Sequence, residues 1–179
     1  MKTVLSFVLW VLCPLAWAAQ GGYLDKVSPG SRLYLNQGIA IPAHTATVYF
    51  QGGRVVSPAD LDEYYPHCLL LSRVVGQQAQ PVPAGEFEIR RVFRYDEEHS
   101  RVGPASVQVA GSRMTIGDSG NGGRTTYYFT TRLTLASTAF PNAMYFECRH
   151  LSDYAIGDYI RLAEFEQAVG PLWSLHPPR

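Results

Sequence analysis

The 179-residue sequence has no excess of either charge: 15 Lys and Arg balance 15 Asp and Glu. That absence excludes the basic footprint a nucleic-acid-binding domain sets against the phosphate backbone. Charged residues are sparse at 17%, against 46% hydrophobic, so the composition is neither disordered nor coiled-coil. Cysteine is rare, with three in the chain, and no two are close enough to form a C-x₂₋₄-C zinc half-site. Glycosylation sequons are missing, because Asn36, Asn121 and Asn142 all lack a hydroxyl two positions on. No apolar run reaches the ~20 residues of a spanning helix. The length nevertheless allows a true core, with roughly two-thirds of the unfolded surface hidden on folding.

The first 18 residues, MKTVLSFVLWVLCPLAWA, have the three-part form of an export leader. Lys2 is the positive head, and Val4–Leu12 is apolar apart from Ser6. Pro14 breaks the run, and Ala16 and Ala18 place small residues where signal peptidase requires them. The sequence predicts cleavage after Ala18, leaving a single β-rich domain over 19–179 with one net negative charge. Cys13 leaves with the leader, since Trp10-Val11-Leu12 offers no small residue before it as a lipid-attachment motif would. A short leader without sequons downstream points to bacterial export, periplasmic or secreted.

Two cysteines remain, Cys68 and Cys148, and in an oxidising compartment an even count predicts a disulfide. Period-2 alternation sets Cys68 on a face with Leu70 and Val74, and Cys148 with Met144 and Phe146, so both point toward a core. His67 and His150 beside them suggest zinc. Adjacent strand residues face opposite sides, however, so His67 and Cys68 are poorly placed to share one ion. No metal site and no cofactor are expected.

Alternation dominates the rest. Strands are expected at Arg32–Gln37, Ala46–Phe50 with a Gly52-Gly53 turn into Arg54-Val55-Val56, and Tyr64–Val75, which is apolar on both faces like a central strand. Glu86–Tyr95 sets Phe87, Ile89, Phe93 and Tyr95 against charged neighbours, and Arg91 on the apolar side requires a bulge at Arg90-Arg91 or a buried charge. Further strands are expected through Val107–Val109, Arg113–Ile116, Arg124–Ser137 and Ala143–His150. The period then changes: Leu162, Phe165, Val169 and Leu172 share one helical face, which predicts a C-terminal helix over about 159–169 with Asp158 as N-cap and Gly170-Pro171 as stop. The fold class is therefore mainly β, an antiparallel sandwich or open barrel of seven to nine strands with one C-terminal helix, docked with help from Trp173 and Leu175.

No catalytic set emerges. Gly117-Asp118-Ser119-Gly120 resembles the nucleophile loop of trypsin-like serine proteases, with His44 in Pro42-Ala43-His44-Thr45 as a loose echo of their histidine. The following Asn121-Gly122-Gly123 departs from that pattern, and the chain is too short for two six-stranded barrels. Turn chemistry accounts for these residues. Asp60-Leu61-Asp62-Glu63 lacks the glycine and spacing of a calcium loop and reads as a solvated turn, as does Asp96-Glu97-Glu98-His99. What stands out is tyrosine: 11 residues, with doublets at Tyr64-Tyr65 and Tyr127-Tyr128 that turn one ring of each pair outward on a regular strand. Beside arginine such rings form an adhesive surface, and Tyr64, Tyr128, Arg124 and Arg132 are the candidate binding face.

The series Tyr34-Leu35-Asn36-Gln37, Ile41-Pro42-Ala43, Val48-Tyr49-Phe50-Gln51, Tyr65-Pro66-His67-Cys68, Phe129-Thr130-Thr131, Phe146-Glu147-Cys148, Leu162-Ala163-Glu164-Phe165 and Gly170 resembles a family of small exported proteobacterial proteins with no established activity. The resemblance implies export and a two-cysteine β-rich domain, and it carries over no functional residue. The expected function is a non-enzymatic envelope domain binding a protein, peptide or glycan. No nucleic acid and no integral membrane span are expected. The alternatives are a small hydrolase using Ser119 or His44, or a structural accessory of an envelope complex.

Overall fold

The computed structural model describes residues 21–99 and 125–178. The leader expected over Met1–Ala18, the strands expected through Val107–Val109 and Arg113–Ile116, the Gly117–Gly120 loop and Arg124 lie outside the described residues.

The fold is mainly β. Its strands are β1 (Arg32–Leu35), β2 (Ile39–Ile41), β3 (Thr47–Gln51), β4 (Arg54–Val56), β5 (His67–Ser72), β6 (Gln80–Val82), β7 (Gly85–His99), β8 (Thr126–Ala136), β9 (Ala143–Asp153) and β10 (Trp173–His176), with one helix, α1 (Leu162–Val169). Eight strands form one antiparallel sheet in the order β10-β1-β7-β8-β9-β5-β3-β4, and β2 pairs with β6 separately. Among the described residues that makes ten strands, against seven to nine expected for the chain, because short β2, β6 and β10 carry too little alternation to register in the sequence.

The sheet curls into a half-barrel, and its aromatic core shows how far. β10 and β3 stand six strand intervals apart in the sheet, which in a flat sheet is roughly 29 Å at ~4.8 Å per interval. Yet the Trp173 ring of β10 lies 5.8 Å from Phe50 of β3, 5.0 Å from Phe146 of β9 and 5.2 Å from Phe87 of β7. All four side chains are buried. Helix α1 fills the remaining opening, with Phe165 6.2 Å from Phe146. Its C-terminal end and the 3-10 turn that follows (Gly170–Leu172) bridge the sheet's two flanks: Gly53 N–H donates to the Ala168 carbonyl at 3.0 Å, and Asn36 N–H to the Leu172 carbonyl at 2.8 Å.

Several boundaries differ from the sequence-based expectation. The strand expected over Tyr64–Val75 is confined to His67–Ser72, so Tyr64 sits in the β4–β5 loop and Val74 is exposed rather than facing the core with Cys68. The helix begins at Leu162 rather than near 159. Its N-cap is Arg161, whose backbone N–H donates to the Glu164 carboxylate at 2.8 Å, whereas Asp158 accepts a hydrogen bond from the Tyr23 hydroxyl at 2.7 Å. The register of β7 against β8 shifts between Ile89 and Arg91, so the bulge option holds and Arg91 is exposed. One extra residue reverses the alternation. Phe87 and Ile89 stay in the core, while Phe93 and Tyr95 turn to the outer face opposite Arg132 and Thr130.

Cys68 and Cys148 are directly opposite on neighbouring strands β5 and β9, with Cα atoms 4.0 Å apart, and are joined by a disulfide. Both are fully buried on the concave side.

Candidate binding surface

The outer face of the sheet is assembled by the same alternation that builds the core. On β8 the even-numbered residues Tyr128, Thr130 and Arg132 point outward, and their cross-strand partners on β9 are Leu151, Arg149 and Glu147. On β5 the register brings His67 beside Arg149 and Leu69 beside Glu147. Two of the expected binding residues, Tyr128 and Arg132, thus share this surface. Tyr64 stands apart on the exposed β4–β5 loop, and Arg124 lies outside the described residues.

Arg132 is clamped. Its guanidinium pairs with the buried Glu147 carboxylate, and its Nη2 donates to the Tyr95 hydroxyl at 2.6 Å. The Tyr95 hydroxyl in turn donates to Glu147 Oε1 at 3.0 Å, closing a three-membered network. Three rings surround the cation, with centroids 4.2 Å (Tyr145), 4.8 Å (Tyr95) and 5.5 Å (Phe93) from its central carbon. Burial, followed by the Glu147 charge, pushes the Tyr95 hydroxyl up to about 12, so it stays a neutral donor across ordinary pH. A guanidinium held by a carboxylate and framed by aromatic faces is a rigid, part-apolar, part-charged platform, and Phe93 is 42% exposed upon it.

Tyr128 does face outward, as the doublet predicts, but it is covered rather than solvent-facing. Arg149 lies 4.4 Å above its ring, and burial with the nearby Glu63 carboxylate pushes its hydroxyl well above the usual tyrosine range. The cover is the β4–β5 loop, where Leu151 N–H donates to the Glu63 carbonyl at 2.7 Å and the Gln51 side chain bonds the Asp62 backbone at 2.8 and 3.0 Å. Beneath that loop His67 is fully buried, and desolvation lowers its pKa to about 4. The zinc geometry is closed off by position: both sulfurs are in the disulfide, and His67 and His150 lie on opposite faces of the sheet. His44 lies in an exposed turn with a φ of 61°, its N–H bonded to the Gly76 carbonyl, and Ser119 lies outside the described residues.

Sequence reading missed Tyr95, Tyr145, Phe93 and Glu147. The bulge is what turns Tyr95 and Phe93 toward Arg132, and the charge alternation that exposed it was visible at Arg90-Arg91. A shallow recess of about 510 Å³ at the other end of the sheet is lined by Arg32, Tyr34, Asn36, Ser174 and His176 among others. It is open, and its Arg32 is ion-paired with Glu86 at 2.6 Å. Among the described residues no helix is long and apolar enough to cross a membrane. Compared with protein-family models, curated proteins and solved structures, the chain matches none.

Proposed function

We propose that this protein is an exported, non-enzymatic binding module that takes a protein, peptide or glycan partner on the outer face of its curled sheet. The observation that carries this reading is the Arg132 platform. A cation fixed by Glu147 and Tyr95 between three rings loses little side-chain freedom on engaging a partner, and aromatic and arginine side chains dominate recognition surfaces. Export is supported by the leader sequence together with a core disulfide, a bond that persists in oxidising compartments. On that reading the mature chain begins at Ala19 in the periplasm or outside the cell.

Two measurements test it. The mass of protein recovered from the cell envelope should match residues 19–179 with one disulfide, and an unprocessed mass with free thiols overturns export. A photo-crosslinking amino acid at Phe93 should trap a discrete partner, while the same group at Gln167 on the exposed side of α1 should not. The product should also fall when Arg132→Lys removes the planar fork but keeps the charge. Equal labelling at both positions, or indifference to Arg132→Lys, overturns the platform as the binding face.

A further inference from the structure

The outer face holds a second constellation that the Arg132 network does not use. Thr130, Arg149 and His67 occupy one cross-strand row over β8, β9 and β5, and Tyr95 of the Arg132 network continues that row on β7. Thr130 and His67 are fully buried, and among the described residues Thr130 Oγ1, Arg149 Nε and His67 Nε2 have no hydrogen-bond partner. A buried polar atom without a partner calls for an explanation, and here three stand at consecutive positions of one row on one face.

Their chemistry is complementary. His67 Nδ1 is 3.0 Å from the Tyr65 carbonyl oxygen, an acceptor, so Nδ1 holds the ring proton and Nε2 is the atom that titrates. Arg149 Nε–H is a donor with a fixed charge, and the Thr130 hydroxyl can donate beside it. Arg132 is neutralised by Glu147, whereas Arg149 has no carboxylate within ion-pair distance among the described residues. The charged groups acting on the imidazole are Arg149 and His150 of β9 and Glu63 of the β4–β5 loop. Tyr128 of β8 and the Arg132–Glu147 pair complete the surroundings. Glu63 already brings one carboxylate of the chain itself to the margin of the row, beside the Tyr128 hydroxyl.

Resting on the binding-face reading above, we propose that the His67–Arg149–Thr130 row is an oxyanion site that receives a carboxylate of the partner beneath the β4–β5 loop. One carboxylate oxygen accepts from Arg149 Nε–H and Thr130 Oγ1–H. The other accepts from His67 Nε2, which takes up a proton from solvent as the anion neutralises Arg149. Arg149 is the row's one fixed positive charge before binding, and three donors in line, Thr130 Oγ1, Arg149 Nε and His67 Nε2, match the two oxygens of a carboxylate. Entry requires the loop to lift from its bonds to Leu151 and Gln51. Binding is therefore coupled to proton uptake and tightens as pH falls toward mildly acidic values.

The test uses the mature, disulfide-bonded protein, ¹⁵N-labelled, titrated at pH 6.5 with sodium acetate against sodium chloride at matched ionic strength. Acetate should shift the Arg149 Nε–H and His67 ring resonances saturably and raise the His67 pKa. Thr130→Val, which keeps the side-chain shape, should weaken acetate roughly tenfold, and Arg149→Gln should abolish the saturable shift. Linear shifts matched by chloride, or saturation unchanged in Thr130→Val, overturn the site. Tighter binding of inorganic phosphate than of acetate overturns its assignment to a carboxylate. Loss of the acetate response with Phe93 cross-linking intact removes this inference alone, whereas an intact response without cross-linking removes the partner-face reading.

Discussion

Burial of an imidazole leaves a signature in stability against pH. His67 falls from the ordinary 6.5 to about 4, chiefly because desolvation disfavours its charged form. The folded-state value is thus below the unfolded one, so the unfolded chain binds the proton first. Stability is complete above about pH 6.5 and is lost as pH falls toward 4. The shift corresponds to an order of ~3 kcal/mol, and burial of His150 acts in the same direction. Urea denaturation between pH 7 and 4 should show that decline, and His67→Leu should flatten it. Arg132 and Glu147 make a second residue-scale case. Removing one member of a buried pair strands the other, at about 3 kcal/mol, while replacing both with apolar side chains recovers much of the loss. Arg132→Met should therefore lower the urea midpoint more than Arg132→Met combined with Glu147→Leu. Arg132 was legible from the sequence as an outward residue of a tyrosine-rich strand. Its clamp was not, because Glu147 lies on β9 and Tyr95 on β7, and only register brings them together.

Single elements depend on two kinds of local device. In β7 the bulge at Arg90 decides which aromatic residues serve the core and which the surface. The sequence showed the conflict at Arg91 but allowed two resolutions. At the end of α1 the device is close backbone approach. Gly170 has φ +51°, and a Cβ built on it would lie 2.5 Å from the Gly53 Cα of the β3–β4 turn. Gly52 has a similar φ of +58° but open space around it. Gly170→Ala should therefore cost about 3 kcal/mol or more through strain plus clash, and Gly52→Ala about 1 kcal/mol from backbone strain alone. Paired thermal melts check the difference, and equal losses would show that the helix end does not brace the turn. The helix itself was readable from its apolar period. β10 was not: Trp173-Ser174-Leu175-His176 gives four residues after Gly170-Pro171, too few for alternation to separate a strand from a docking tail.

Across the whole molecule, the disulfide is the longest-range covalent constraint among the described residues, joining positions 80 residues apart. The chain-entropy relation gives roughly 4.5 kcal/mol for a loop of that length, and removal of native disulfides commonly costs about 2–5 kcal/mol. Urea titration with and without reductant should show a loss in that range, with a steeper slope for the reduced protein because its unfolded chain exposes more surface. Full retention of the midpoint on reduction would mean that β5–β9 pairing already holds the two strands. The sequence by itself determined the β class, the antiparallel alternation, the C-terminal helix and the pairing of the two cysteines, because periodicity and residue count are local or combinatorial properties. Only the tertiary structure decided that the sheet curls until Trp173 meets Phe50, and that Cys68 and Cys148 are cross-strand neighbours. It alone brought Tyr95, Arg132, Glu147, Arg149 and His67 onto one outer face. Those outcomes rest on strand order and register, which are set by packing between residues far apart in the chain and leave no trace in any single segment of it.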